Sequence, residues 1–227
     1  MVKDGTATLK SGTDYTVSYK NNINAGTASA VITGKGNYTG TVTKTFTIAK
    51  AANKITASNF TRSYATKAQS FQIGAKAAGG KLTYKSNKSG VKVDSTGKVT
   101  IVKKFSGTAM ITITAGNGNY KTVTKKISVT VPVKTSISSA VSNKAGRMTV
   151  KWKKKTGVTG YQIQYSLKSN FSKKKTAAIS KSATVSKTIG KLTKGKKYYV
   201  RIRTYKVANG KKYYSAWSAK KTVTIKE

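Results

Sequence analysis

Short runs in which apolar and polar residues alternate, broken every few positions by Gly or Asn, fill this chain of 227 residues almost from end to end. In DYTVSYK (14–20) and GYQIQYS (160–166) every second side chain is aromatic or aliphatic. A period of two sends neighbouring side chains to opposite faces of an extended strand, whereas a helix needs a period near 3.6. Antiparallel strands with one packed face and one wet face satisfy this pattern. The expectation is an all-β chain, and the short strands at roughly 8–12-residue spacing point to sandwiches or barrels.

The expected strands fall in three groups. The first holds 14–20, TASAVITG (27–34) and TVTKTFTIA (41–49), with NNINAG and GKGNYTG as turns. The second holds 54–58, SFQIGAKA (70–77), 81–86, 90–94, 97–102, GTAMITITA (107–115) and TVTKKISVTV (122–131), with a tight turn at 95–97. In the third, MTVKWKK (148–154) and 160–166 precede KKYYVRIRTYKVANGKKYY (196–214), where Asn209-Gly210 is the strongest short hairpin signal. GKGNY (34–38) and GNGNY (116–120) each precede Val-Thr-Lys and a closing strand, so one hairpin ends two successive modules. The expected modules are 1–50, 51–131 and 132–227, a comfortable division for this length. Pro132, the chain's one proline, marks the last boundary because it has no N–H for a ladder.

Charge bounds the partners. Forty-five Lys and Arg face only Asp4, Asp14, Asp94 and Glu227, a formal +41. The excess is graded, at +4 in 1–50, +13 in 51–131 and +24 in 132–227. Charge on this scale cannot be neutralised internally, so most lysines must stand in water. Their repulsion is screened beyond about 8 Å at physiological salt. Such a surface attracts polyanions: teichoic acid, acidic glycan, nucleic acid or anionic lipid. The candidate polyanion-binding residues are Lys153, Lys154, Lys155, Lys173, Lys174, Lys175, Lys196, Lys197, Arg201, Arg203, Lys211 and Lys212.

The absences exclude most chemistry. Without histidine or cysteine there is no zinc site of the usual ligand types, no disulfide framework, and no Ser-His-Asp or Cys-His arrangement. Paired-carboxylate hydrolysis and a calcium cage both need more acids than four scattered ones. The glycines of 34–40 and 116–119 do not run on into Gly-Lys-Ser/Thr and a helix, so they read as turns and not as phosphate loops. No cofactor is expected, and no catalysis. No apolar run of about 18 residues exists to span a membrane, and MVKDGTATLK lacks the apolar segment of a secretion signal.

Basic residues interleaved with aromatics in 194–218 admit two readings. One is a nucleic-acid surface with exposed rings, for which Tyr199, Tyr205, Tyr213 and Tyr214 are the candidates. The other is a hairpin with Tyr198, Val200 and Ile202 inward and Tyr199, Arg201 and Arg203 outward.

Residues 4–48, DGT through GTDYTVSYKNN to GKGNYTGT and FTI, resemble bacterial immunoglobulin-like surface repeats. Such repeats usually begin some residues earlier, which implies that the first module lacks its opening strand. KLTYKSNKSGVKVDSTGKVTI through GNGNY (81–120) is similar to a second type of immunoglobulin-like module from the same proteins. Residues 132–227 resemble a fibronectin type III domain. That resemblance makes Trp152 and Tyr161 core residues, and Leu192 with Tyr198 a tyrosine corner whose hydroxyl bonds back to upstream backbone. Lys194 stands where proline is usual. It further implies that Trp217, in Tyr-Ser-Ala-Trp-Ser, stacks between Arg201 and Arg203.

Together these imply a non-catalytic stalk or accessory region, part of a larger modular polypeptide at the surface or wall of a Gram-positive bacterium. Its lysine coat would meet anionic wall polymer or acidic glycan. A reader of extracellular DNA is the alternative. An engineered supercharged scaffold is a third reading, against which stand the fluent family text and the mildly basic first module. Self-formed Lys–Asn crosslinks are not expected in the third module, which has no internal acid; Asp14 and Asp94 are remote candidates in the others.

Overall fold

A computed structural model describes residues 1–227 as strands and connecting turns, without a helix. No helix is therefore long and apolar enough to cross a membrane. The chain forms two compact units, one of residues 1–56, 75–83 and 113–125, the other of 57–74, 84–112 and 126–227. The all-β, multi-module reading is correct.

In the first unit, β1 (Lys3–Asp4) and β2 (Ala7–Thr8) form a small hairpin. A meander follows, of β3 (Tyr15–Lys20), β4 (Gly26–Gly34) and β5 (Thr41–Ile48). Val17 pairs with Ile32 and Ile32 with Val42, while Ala28 pairs with Phe46, so the apolar half of the alternation lines one face. That face is thinly covered. Ala28 alone among the apolar residues of 1–50 is buried, and Tyr19 and Phe46 are 58% and 41% exposed. Later residues join this unit through the GNGN turn. The Asn119 carboxamide accepts from Ala25 N–H at 2.8 Å and donates to Asn24 Oδ1 at 2.7 Å. β6 (Ile55–Thr56) pairs with β9 (Lys76–Ala77).

The second unit takes β7 (Phe60–Thr61) and β8 (Gln69–Gln72). The 70–77 run is thus not one strand, because Gly74 turns into the left-handed region at φ +65°. β10 (Thr83–Ser86), β13 (Gly107–Ala115) and β14 (Val123–Val131), of which residues 84–86, 107–112 and 126–131 belong to this unit, form a sheet with β7 in the order β10-β13-β14-β7. β11 (Val91–Val93), β12 (Lys98–Ile101) and β8 form another. Val91, Val99, Ile111 and Val129 are fully shielded from solvent. The two-residue β7 was not expected. It pairs in parallel with β14 through Val129↔Phe60, and parallel partners leave no local hairpin signal.

The last stretch contributes two more sheets. β15 (Ile137–Val141), β16 (Met148–Trp152) and β19 (Ser186–Ile189) make one. β17 (Gly160–Ser166), β18 (Lys175–Ile179), β20 (Lys197–Ala208), β21 (Lys211–Tyr214) and β22 (Lys221–Thr224) make the other, in the order β18-β17-β20-β21 with β22 also on β20. Met148, Val150 and Trp152 of one sheet and Tyr161, Ile163, Val200 and Ile202 of the other belong to one buried cluster. β20 and β21 are joined at Asn209 and Gly210, whose φ of +48° and +72° are those of a type I′ hairpin turn. This sandwich is tied to the segment that follows β7 by two hydrogen bonds. Tyr64 N–H donates to the Tyr214 carbonyl at 2.8 Å, and Tyr214 N–H to Ser63 Oγ at 3.0 Å.

Candidate functional site

The outer face of the β17–β20 pair carries the densest chemistry. Alternation along β20 buries Tyr198, Val200 and Ile202 and leaves Tyr199, Arg201 and Arg203 half-covered. Register then sets Gln164 opposite Arg201 and Gln162 opposite Arg203. Arg201 donates from Nε and Nη2 to Gln164 Oε1 at 3.0 and 2.8 Å, and Arg203 Nε donates to Gln162 Oε1 at 2.8 Å. With their edges held, the guanidinium planes meet rings. Arg201 lies 4.1 Å from the Phe171 ring centroid and 4.5 Å from that of Trp217. Arg203 lies 4.3 Å from Trp217 and 3.7 Å from Tyr214.

The result is an alternating series, Phe171–Arg201–Trp217–Arg203–Tyr214. Each contact contributes about 0.5–1 kcal/mol where exposed and more where water is excluded. Burial pushes both guanidinium groups below their usual pKa range. For Arg203 the Tyr214 phenol opposes the shift and the neighbouring Arg201 charge adds to it. Phe171 reaches its place from a loop with φ +61°, a strained value for a bulky residue. Only 5% of it is exposed, and its burial offsets the strain.

The other sequence candidates fall as follows. Trp152 and Tyr161 are buried with ring centroids 5.3 Å apart. The Tyr161 hydroxyl accepts from Lys155 N–H and donates to the Ser182 carbonyl, both at 3.0 Å. Leu192 and Tyr198 are buried, and Tyr198 Oη accepts from Thr193 N–H at 3.3 Å. Lys153, Lys154, Lys173, Lys174, Lys175, Lys196, Lys197, Lys211 and Lys212 are exposed, while Lys155 is half-buried. Lys197 lies 5.9 Å from the Tyr199 ring and Lys212 5.1 Å from that of Tyr205. Lys173 and Lys175 line one hollow with Lys168, Tyr165 and Tyr198. They stand at the β18 edge of the sheet and Lys211 and Lys212 at the β21 edge. Three strand spacings of about 4.8 Å separate these edges, more than a Debye length. The candidates therefore form a dispersed field and not one patch.

One expectation fails. Tyr205, a candidate exposed platform, is buried, its hydroxyl donating to the Ile179 carbonyl at 3.4 Å. The long β20 strand carries it against Gly160, where a side chain would overlap both the Tyr205 ring and the Ile179 carbonyl. Sequence reasoning also missed Phe171, Gln162 and Gln164. The glutamines become legible once register is assigned, whereas Phe171 sits in a loop with no period.

No curated protein matches the chain. Among solved structures, the FN1-FN3 domains of chicken CNTN1 share 12% identity over 88% of this chain and 78% of that one, with a TM-score of 0.38. Domains A168-A170 of titin share 14% over 94% and 84%, at 0.36. An Fn3-like protein from Clostridium thermocellum shares 22% over 42% and 95%, at 0.34. The fibronectin type III family model matches residues 132–221. That stretch is a fibronectin type III domain, a generally non-catalytic module common in extracellular proteins.

Proposed function

We propose that this chain is a non-catalytic modular region of an extracellular bacterial protein, three modules meeting near residues 50 and 131. Its lysine coat holds it against anionic wall polymer or acidic glycan. The observation that supports this is where the cations stand. None of the lysines in 132–227 is buried, although that stretch carries +24. Charge left in water acts at a distance and without geometry, so it draws in polyanions of many shapes. Three of the rings beside these strands, Phe171, Trp217 and Tyr214, are stacked on guanidinium groups and so are not open to bases. A reader of single strands needs free ring faces for bases.

The test is the salt dependence of binding to teichoic acid and to a heparin-like polymer. Engagement of about six anionic groups should weaken binding on the order of 10³-fold between about 50 and 200 mM salt. Affinity that stays flat over that range overturns the reading. DNA and polyphosphate of matched charge should compete equally. A clear preference for DNA would favour a nucleic-acid binder.

A further inference from the structure

Lysines and arginines are used differently in this chain. Of 41 lysines, only Lys125, Lys155 and Lys206 are even partly covered, whereas three of the four arginines lie over aromatic rings. A cation that the fold holds in place marks a defined site better than one that moves freely in water. One held cation, Arg62, and the partly covered Lys206 line the same cleft.

This cleft, of about 410 Å³, lies within the second unit, between the strands around Phe60 and Ser128 and the β20–β21 hairpin. That volume is in the range of small-molecule sites. Arg62 and Lys206 line it. The Arg62 guanidinium lies 4.3 Å from the Phe71 ring centroid and 5.6 Å from that of Phe60, and Nη1 donates to the Thr61 carbonyl at 3.1 Å. Its plane is thus oriented before any ligand arrives. Lys206 stands opposite Tyr213 in the hairpin register, and Tyr213 is also a wall of the cleft. Asn59 and Asn209 add two carboxamides to the polar lining. Asn59 Oδ1 accepts from Ser128 N–H at 2.7 Å, which leaves its Nδ2 as a donor.

We propose that this cleft binds a carboxylated sugar unit of an acidic glycan, an inference that rests on the polyanion reading above and names its ligand. An oriented guanidinium fork matches a planar carboxylate, with the Lys206 ammonium as a second partner. The Tyr213 and Phe60 rings offer apolar area to a sugar face. The two carboxamides and the hydroxyls of Thr61 and Ser128 exchange hydrogen bonds with sugar hydroxyls, which a bare phosphate chain lacks. The coat gathers anionic polymer; the cleft selects within it.

The experiment uses the full chain and three probes: a galacturonate oligomer, its neutral galactose counterpart, and polyphosphate of matched charge. Binding is followed by calorimetry from low to high salt. The galacturonate oligomer should keep a saturable component at salt where polyphosphate no longer binds, and the neutral oligomer should not bind. Lys206→Gln and Asn209→Gly should each weaken that component roughly tenfold. Asn209→Gly keeps the turn, because glycine adopts the same positive φ, and unchanged thermal unfolding verifies both folds. Lys187→Gln removes one charge from the other sheet and should leave the salt-resistant component alone. If galacturonate and polyphosphate fade together with salt, or the two cleft variants bind like the parent, the cleft assignment is overturned while the coat reading stands. If no polyanion binds even at low salt, both fall.

Discussion

The meander of residues 15–48 and the sandwich of 137–225 carry the same alternating pattern, yet only the second has a deep core. In the meander one apolar residue, Ala28, is buried, whereas the sandwich buries fourteen residues in a single cluster. Alternation sorts side chains onto two faces, but burial needs a second sheet to close over one of them. The sandwich has facing sheets around Trp152 and Tyr161; the Val17–Ile32–Val42 row has far less over it. Charge runs the same way, with +24 on the stretch that has the large core and +4 on the one that lacks it. Mutual repulsion of lysines is tolerable where apolar burial is large, since each square ångström removed from water contributes about 25 cal/mol.

The widest separation should come from truncating one aromatic in each region. Trp152→Ala should destabilise by about 3–5 kcal/mol through the cavity it leaves. Phe46→Ala should cost under about 1 kcal/mol, as at other exposed positions. Equal shifts in denaturant midpoint would break the comparison. Trp152 also offers a finer test. Its Nε1 is buried without a hydrogen-bond partner, so Trp152→Phe removes an unpaired donor along with volume and should cost clearly less than Trp152→Ala.

Next in size is Gly160→Ala, expected to cost about 1–3 kcal/mol by overpacking against Ile179 and Tyr205. The same change at the exposed Gly118, with open space around it, should be close to neutral in thermal unfolding.

Arg203→Lys keeps the charge but loses the plane between Trp217 and Tyr214, and should cost about 1 kcal/mol. The readout is urea unfolding followed by Trp fluorescence. Lys211→Arg, at an exposed site, should shift nothing.

The smallest effect is titration of Asp94. The Thr96 hydroxyl, then the Lys98 N–H, hold its carboxyl below the usual carboxylate pKa of 3.8; desolvation opposes them, and the Thr96 N–H and the Lys98 charge add smaller contributions. A depressed folded pKa means that the stabilisation is present in full above the unfolded value. It is lost as pH falls through the folded one. Asp94→Asn should therefore differ slightly from the parent at neutral pH, and the difference should vanish in strong acid.

Much of the fold is legible in the pattern. The predicted runs 14–20, 27–34, 107–115 and 160–166 coincide with observed strands to within a residue, because period and turn chemistry are local properties. What was not legible depended on partners distant in the chain. β7 is defined by its pairing with Val129 and Thr130, and Phe171, at its strained φ, sets its ring against the guanidinium of Arg201. The cleft that holds Arg62 and Lys206 joins residues separated by well over a hundred positions, and no spacing rule connects them.

By itself, then, the order of residues determined the class of structure, the places where strands turn and the sign of the charge, each a consequence of one neighbourhood of the chain. Tertiary structure alone decided which apolar face became a core and which aromatic residues remained accessible. It also decided which cations were held over rings and which stayed in water. Burial and stacking depend on what arrives from elsewhere in the chain, and alternation describes a strand without naming its neighbour.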